Sequence, residues 1–182
     1  MAFLGLLRRS RYERAGFGLY KTAVDAARDP YLYRVLGVPD TLDGRFDMIG
    51  LHVVLLIRRL QTLPEPGPAL AQTVFDAMFS DMDLNLREMG VGDLAVGKRV
   101  RAMWEALHGR AQAYEAAMSN DDETALAAAI ARNVWRGSAA PAGSAAALAA
   151  LARAQAAHLD GQDLGRLAAG RAEFLRAEEA AG

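Results

Sequence analysis

Phe46-Asp47-Met48-Ile49-Gly50-Leu51-His52-Val53-Val54-Leu55-Leu56-Ile57-Arg58-Arg59-Leu60 is the stretch that decides the fold. Phe46, Ile49, Gly50, Val53, Ile57 and Leu60 recur at helical spacing and share one face. Leu51 and Leu55 make the opposite face apolar as well. A helix that is apolar all round has no side to offer to water, so the reading is a central bundle helix, with a partner-binding surface as the alternative.

Outward from this helix the punctuation is helical on both sides. Upstream, a helical pattern runs from the start to about Arg28, and Asp29-Pro30 supplies a cap and a first-turn proline for a short helix that stops at Gly37. Val38-Pro39-Asp40-Thr41 reads as a turn. Downstream, Pro64-Glu65-Pro66-Gly67-Pro68 is a stiff break, because proline cannot donate to a helix and restricts the residue before it. A long helix follows with the stripe Phe75, Met78, Phe79, Met82, Leu86 and Met89, and Gly90 as its stop. Gly92-Asp93 turns and caps the helix carrying Val96, Val100, Met103, Trp104 and Leu107, and Asn120 with Glu123 resembles a capping box for a helix through Trp135.

Residues 137–144, rich in Gly, Ala and Ser, read as a linker between a helical core, 1–136, and an alanine-rich tail, 145–182, whose sparse large residues include Leu148, Leu151, Leu159, Leu164, Phe174 and Leu175. With no alternating apolar–polar run, the class is all-α: a single bundle of about six to eight helices, with the tail packed on it as a helical hairpin.

The composition bounds the function. A hydrophobic fraction of 52% against 24% charged belongs to a globular chain, and 182 residues suffice for one domain with a core. A formal charge of -1 provides no field to draw in a phosphate backbone, so DNA is not an expected partner. The absence of cysteine excludes disulfides and thiolate chemistry, and suits a cytoplasmic protein. At the N-terminus the apolar residues precede the positive charges, the wrong order for a signal peptide. The longest apolar run, Val53 to Ile57, is far below the roughly 20 residues a membrane-crossing helix needs.

Candidate chemistry is sparse. Glu105 and His108 stand at the spacing of di-iron bundles, but His52 and His158 have no glutamate three residues before them, so the ligand set is half absent. A helical metal-binding enzyme is therefore an alternative reading, and His108 is better placed as an interface or capping residue near Gly109. Ser80, His108 and Asp83 have no nucleophile elbow, and Gly90-Val91-Gly92 lacks a third glycine, so neither hydrolase nor nucleotide chemistry is supported. No cofactor is expected.

The acidic segment is more informative. Asp76, Ser80, Asp83 and Arg87 flank the Phe75–Met89 stripe on one side, and Asp81, Asn85 and Glu88 flank it on the other. Asp and Asn disfavour helix interiors, so their density suggests a tertiary or partner contact. The N-terminal Phe3, Leu4, Leu7, Arg8 and Arg9 could dip into an anionic membrane face, giving a membrane-surface scaffold as a further alternative.

Two strings, in order, carry a family resemblance. They are Gly37-Val38-Pro39-Asp40-Thr41-Leu42-Asp43-Gly44-Arg45-Phe46-Asp47-Met48-Ile49 and Asp81-Met82-Asp83-Leu84-Asn85-Leu86-Arg87-Glu88-Met89-Gly90-Val91-Gly92-Asp93. Together they resemble the ubiquinol-cytochrome c chaperone family, over about Tyr12 to Trp135. The resemblance implies a non-enzymatic assembly factor for the ubiquinol-cytochrome c reductase (bc1) complex, acting on newly made cytochrome b. Mitochondrial members are implied to work with a partner subunit and on the ribosome. The alanine and arginine richness looks bacterial, and no mitochondrial transit segment is expected ahead of the core.

A soluble chaperone for a polytopic membrane protein must offer an apolar groove with polar edges. Phe75, Met78, Asp81, Met82, Asp83, Asn85, Arg87, Glu88, Met89 and Asp93 are the expected client-binding residues, the methionines supplying an adaptable surface. The alternative is that the stripe is core and the charges lock the turn internally.

Overall fold

The computed structural model describes residues 12–136 and 138–181 in full, and residues 2–11 as helical backbone only. Its long helices are α1 (Ala2–Ala27), α3 (Leu42–Gln61), α4 (Gly67–Glu88), α5 (Asp93–Ser119), α6 (Glu123–Val134) and α7 (Ser144–Asp160). Short helices α2 (Pro30–Arg34), α8 (Leu164–Ala168) and α9 (Ala177–Ala180) fill in between, with no strand among the described residues. The class is all-α.

Helix α3 is the axis. Thr41 caps it, its hydroxyl oxygen accepting from the Gly44 N–H at 3.1 Å, and 13 of its 20 residues are buried. It packs against α1, α4, α5, α6 and α7. Helix α1 adds Leu19, Tyr20, Ala23, Val24 and Ala27, and α4 adds Leu70, Ala71, Val74, Ala77, Met78 and Met82, both at helical spacing. These two helices cross closely because Gly16 has no side chain: a Cβ there would lie 2.8 Å from the backbone carbon of Thr73.

Two helix boundaries differ from the sequence reading. Asn120 is not the cap of α6 but the last residue of α5's ending, and the cap is Asp122, whose carboxylate accepts from the Ala125 N–H at 2.8 Å. The intervening Asp121 adopts a left-handed φ of 53°, which makes room for the later start. Asp93 is likewise not a cap: Gly92 holds that position, and Asp93 begins the helix, where its charge suits the N-terminal dipole. Helix α5 also runs through Gly109 to Ser119, so His108 caps nothing.

The alanine-rich segment doubles back on itself. Helix α7 is its full-length arm and seats Leu148, Leu151, Ala152 and Leu159 against α3 and α6. The return arm is helical only at α8 and α9, because Gly170 turns with a φ of 76° and residues 171–176 run irregularly. Two buried glutamines take the place of the missing helical bonds. The Gln155 amide donates to the Leu175 carbonyl at 2.8 Å and accepts from the Leu175 N–H at 2.9 Å. Gln162 does the same for Glu173, at 2.6 and 3.0 Å. Asp29 completes the attachment, capping α2 with one oxygen and accepting from the Ala177 N–H at 2.9 Å with the other.

Phe174 rests edge-on against His52, 5.3 Å between centroids. The His52 ring is buried, and its Nδ1 lies 2.8 Å from the Met48 carbonyl. A carbonyl only accepts, so Nδ1 carries a proton, and burial disfavours adding a second one at Nε2. Desolvation lowers the His52 pKa below its usual value of 6.5.

Two measurements check this account. Gln155→Leu keeps the bulk but orphans two backbone groups, and should lower the unfolding free energy in urea by about 1–3 kcal/mol. A histidine whose folded pKa is depressed contributes stability that is full above its unfolded pKa and lost as pH falls below it. The His52 contribution should therefore decline as pH falls below about 6.5, and His52→Asn, which keeps a donor for Met48, should flatten that slope in pH-dependent denaturation.

Candidate functional site

At the first turns of α3, the end of α4 and the first half of α5 diverge around a cleft of about 560 Å³. Its floor is Phe46, Ile49, Met82, Leu86, Met103 and Ala106, with Leu42 and Met89 at the mouth. Leu42 is 63% exposed and Met89 56%, so both are accessible at the mouth. Charged residues rim it: Arg28, Asp43, Arg45, Asp81, Arg99, Arg110 and Arg136. The volume and the mixture of apolar floor and few polar groups are those of a binding cleft.

One wall is braced by a buried carboxylate. The Asp47 side chain is 1% exposed and pairs with Arg110 of α5 and with Arg136, just past α6. Arg136 donates to both Asp47 oxygens, at 2.9 and 3.0 Å, and also to Asp43 at 2.8 Å. Burial pushes the Asp47 carboxyl above its usual range, and the two arginines pull the other way. Arg110 lies over the Phe46 ring, 5.5 Å from its centroid, so the same guanidinium that neutralises Asp47 covers the cleft floor. Arg136 has a left-handed φ of 43°, and beside it the Trp135 indole donates to the Gly37 carbonyl at 3.1 Å. Three helices are thereby joined behind the cleft.

The opposite wall is set by Tyr20, whose hydroxyl donates to Asp81 at 2.7 Å. Burial, and then that bond, raise the Tyr20 phenol far above its ordinary pKa, so it stays a donor. Arg45 pairs with Asp40 at 2.7 Å and reaches over the Tyr33 ring. Arg28 and Arg99, by contrast, have no carboxylate partner among the described residues.

The expected client-binding residues divide. Asp81, Met82, Asn85 and Met89 line the cleft. Met78 is fully buried, and Phe75, its ring tilted against Phe79 with centroids 4.7 Å apart, lines a second groove with Val54, Ile57, Arg58, Leu107 and His108. Arg87 binds Asp83 at 2.6 Å and also Asp93, tying the last turn of α4 to the first of α5, and Glu88 is exposed. Phe3, Leu4, Leu7, Arg8 and Arg9 have side chains outside the described residues. Elsewhere, Glu105 is engaged by Arg101 at 3.0 Å, and His108 stacks on Trp104 at 5.2 Å. No group of three or more metal-ligating side chains occurs among the described residues.

Sequence reasoning did not single out the arginines, nor Ile49 or Met103. The first string contains Asp43, Arg45, Phe46, Asp47 and Ile49, and its length was the one available signal.

Comparison with known proteins covers both walls. Residues 34–174 match the family described as ubiquinol-cytochrome C chaperone. A Xenopus laevis protein, ubiquinol-cytochrome-c reductase complex assembly factor 1, is 24% identical over 136 residues, covering 74% of this chain and 68% of the relative. The crystal structure of the Cbp3 homolog from Brucella abortus superposes with a TM-score of 0.84 at 33% identity, covering 98% of this chain and 99% of the other.

Removing the buried brace is a direct test of the site's construction. Asp47→Ala strands Arg110 and should cost about 3–5 kcal/mol in urea denaturation. Arg110→Met in the same chain removes the stranded charge, so the double variant should lose less than the sum of the two single losses.

Proposed function

The chain belongs to the ubiquinol-cytochrome c chaperone family, and on that premise we propose that it assists assembly of the ubiquinol-cytochrome c reductase complex by holding newly made cytochrome b at the cleft between α3, α4 and α5. The observation that carries the proposal is the apolar floor of this cleft, where Met82, Leu86 and Met103 meet Phe46 and Ile49 of α3. A polytopic membrane protein emerging from synthesis exposes apolar helices, and an amphipathic or apolar helix is what such a groove accepts. Met82, Met89 and Met103 favour this use, since unbranched thioethers repack around different side chains.

Asp81 and Asn85 are the polar edge that fixes register in this reading, while Asp83, Arg87 and Asp93 hold the α4–α5 turn in shape. Phe75 and Met78 support the wall without facing the client at this cleft, and Glu88 stays in solvent outside it. No reaction is assigned to the chain.

The client leaves the ribosome into the membrane, so the chaperone works where the two meet, at the ribosome and on the cytoplasmic face. Phe3, Leu4, Leu7, Arg8 and Arg9 are the proposed membrane contact. No helix among the described residues is long and apolar enough to cross a bilayer, so attachment through this segment would be peripheral.

The test is deletion of the gene in its own bacterium, with assembled bc1 complex and cytochrome b quantified. Both should fall, and the wild-type gene should restore them. Leu42→Glu with Met89→Glu changes two exposed positions at the cleft mouth, so the chain should keep its melting temperature while rescue fails. Normal complex levels in the deletion strain would remove the assembly role. Full rescue by the double variant would move the client site elsewhere.

A further inference from the structure

Five arginines reach the cleft, and their partners are unequal. Asp40 occupies Arg45, while Asp47 and Asp43 between them occupy Arg110 and Arg136. Three cations are thus matched by three carboxylates. Asp81 is held on the α4 wall by the Tyr20 hydroxyl, a neutral donor that leaves its one negative charge facing two unpaired cations. Arg28 and Arg99 remain: both are exposed, both line the cleft, and neither has a carboxylate partner among the described residues. They come from different elements, Arg28 from the end of α1 and Arg99 from the second turn of α5.

Within the client-holding role, on which this inference rests, we infer that the occupant is an apolar helical segment carrying acidic residues at one end, with those carboxylates seated on Arg28 and Arg99. The apolar floor supplies attraction without direction, because burial of apolar area is insensitive to which way a segment lies. The unmatched guanidiniums supply direction. A guanidinium offers a planar fork of donors that fits a carboxylate in two-point contact, and its hydrogen bonds to a charged acceptor are stronger than neutral ones. A segment ending in lysine or arginine meets two like charges at the same place, so the cleft rejects it. Apolar segments of similar length are thereby told apart by the charge at one end.

The experiment uses the full chain and three fluorescent helical peptides with the same leucine–alanine body, ending in two aspartates, two asparagines or two lysines. Fluorescence anisotropy should show the aspartate peptide binding about tenfold or more tighter than the asparagine peptide, with the lysine peptide weakest. Arg28→Gln with Arg99→Gln, at exposed positions, should erase the difference between aspartate and asparagine, and circular dichroism melting checks that the fold is kept. Equal affinity of the wild type for all three peptides overturns the inference while leaving the apolar client site standing. Absence of binding by any of them overturns both the inference and the client cleft, and the deletion strain separately decides the assembly role. Phosphatidylglycerol-containing vesicles that displace the aspartate peptide from the wild type but are not bound by the double variant would overturn it too, reassigning the two arginines to a lipid phosphate.

Discussion

A helix without a polar face must be surrounded, and the shape of this protein follows from how α3 is surrounded. Burying an apolar side chain of leucine or valine size is worth about 1.5–3 kcal/mol, so a helix with most of its residues enclosed repays the ordering of its neighbours. Helices α1 and α4 cover one flank, and α6 and α7 another. At its N-terminal turns Phe46 and Ile49, though largely buried, also line the cleft. The cleft floor is therefore continuous with the core: what α3 presents there is the edge of its buried face.

The buried Asp47 sits where covering gives way to opening. A lone ionised carboxylate at that depth would be expensive, and its two guanidinium partners come from different helices. Satisfying one buried charge thus fixes α3, α5 and the end of α6 relative to each other. The arrangement also uses up Arg110 and Arg136 electrostatically, while Arg28 and Arg99 keep their charge facing the cleft.

Much of the fold was legible because periodicity survives in a single chain. The double-faced apolar pattern of residues 46–60 identified α3 as central, and the stops at Gly37, Pro64 and Gly90 fell near real helix ends. The site was legible only in part. Met78 and Met82 lie on one stripe with identical local signals, yet one is sealed and the other lines the cleft, because depth is decided by what covers each turn and not by the turn itself. Asp47 and its arginines lie 63 and 89 positions apart, a pairing that no local pattern encodes. Gln155, on α7, and Gln162, in the turn after it, carry no signal at all for their role, since a glutamine in an alanine-rich segment looks like a solvated residue until the segment it clamps is brought alongside.

The two walls of the cleft are built to different firmness. Helix α4 buries eight of its 22 residues and α1 crosses it at Gly16 with almost no gap, so that wall is part of the core. Helix α5 is longer, at 27 residues, yet buries only Val96, Leu107, Tyr114 and Ala117. Beyond that burial, the Arg110–Asp47 bridge ties it to α3 and the exposed Arg87–Asp93 pair links its start to α4. Sparse burial and exposed backbone bonds are the marks of an element with a low free energy of local opening. A segment entering between α4 and α5 therefore meets a deeply buried apolar wall on one side and, on the other, a helix joined to the core at only a few points. That asymmetry suits a surface that must accept clients before their own packing is complete.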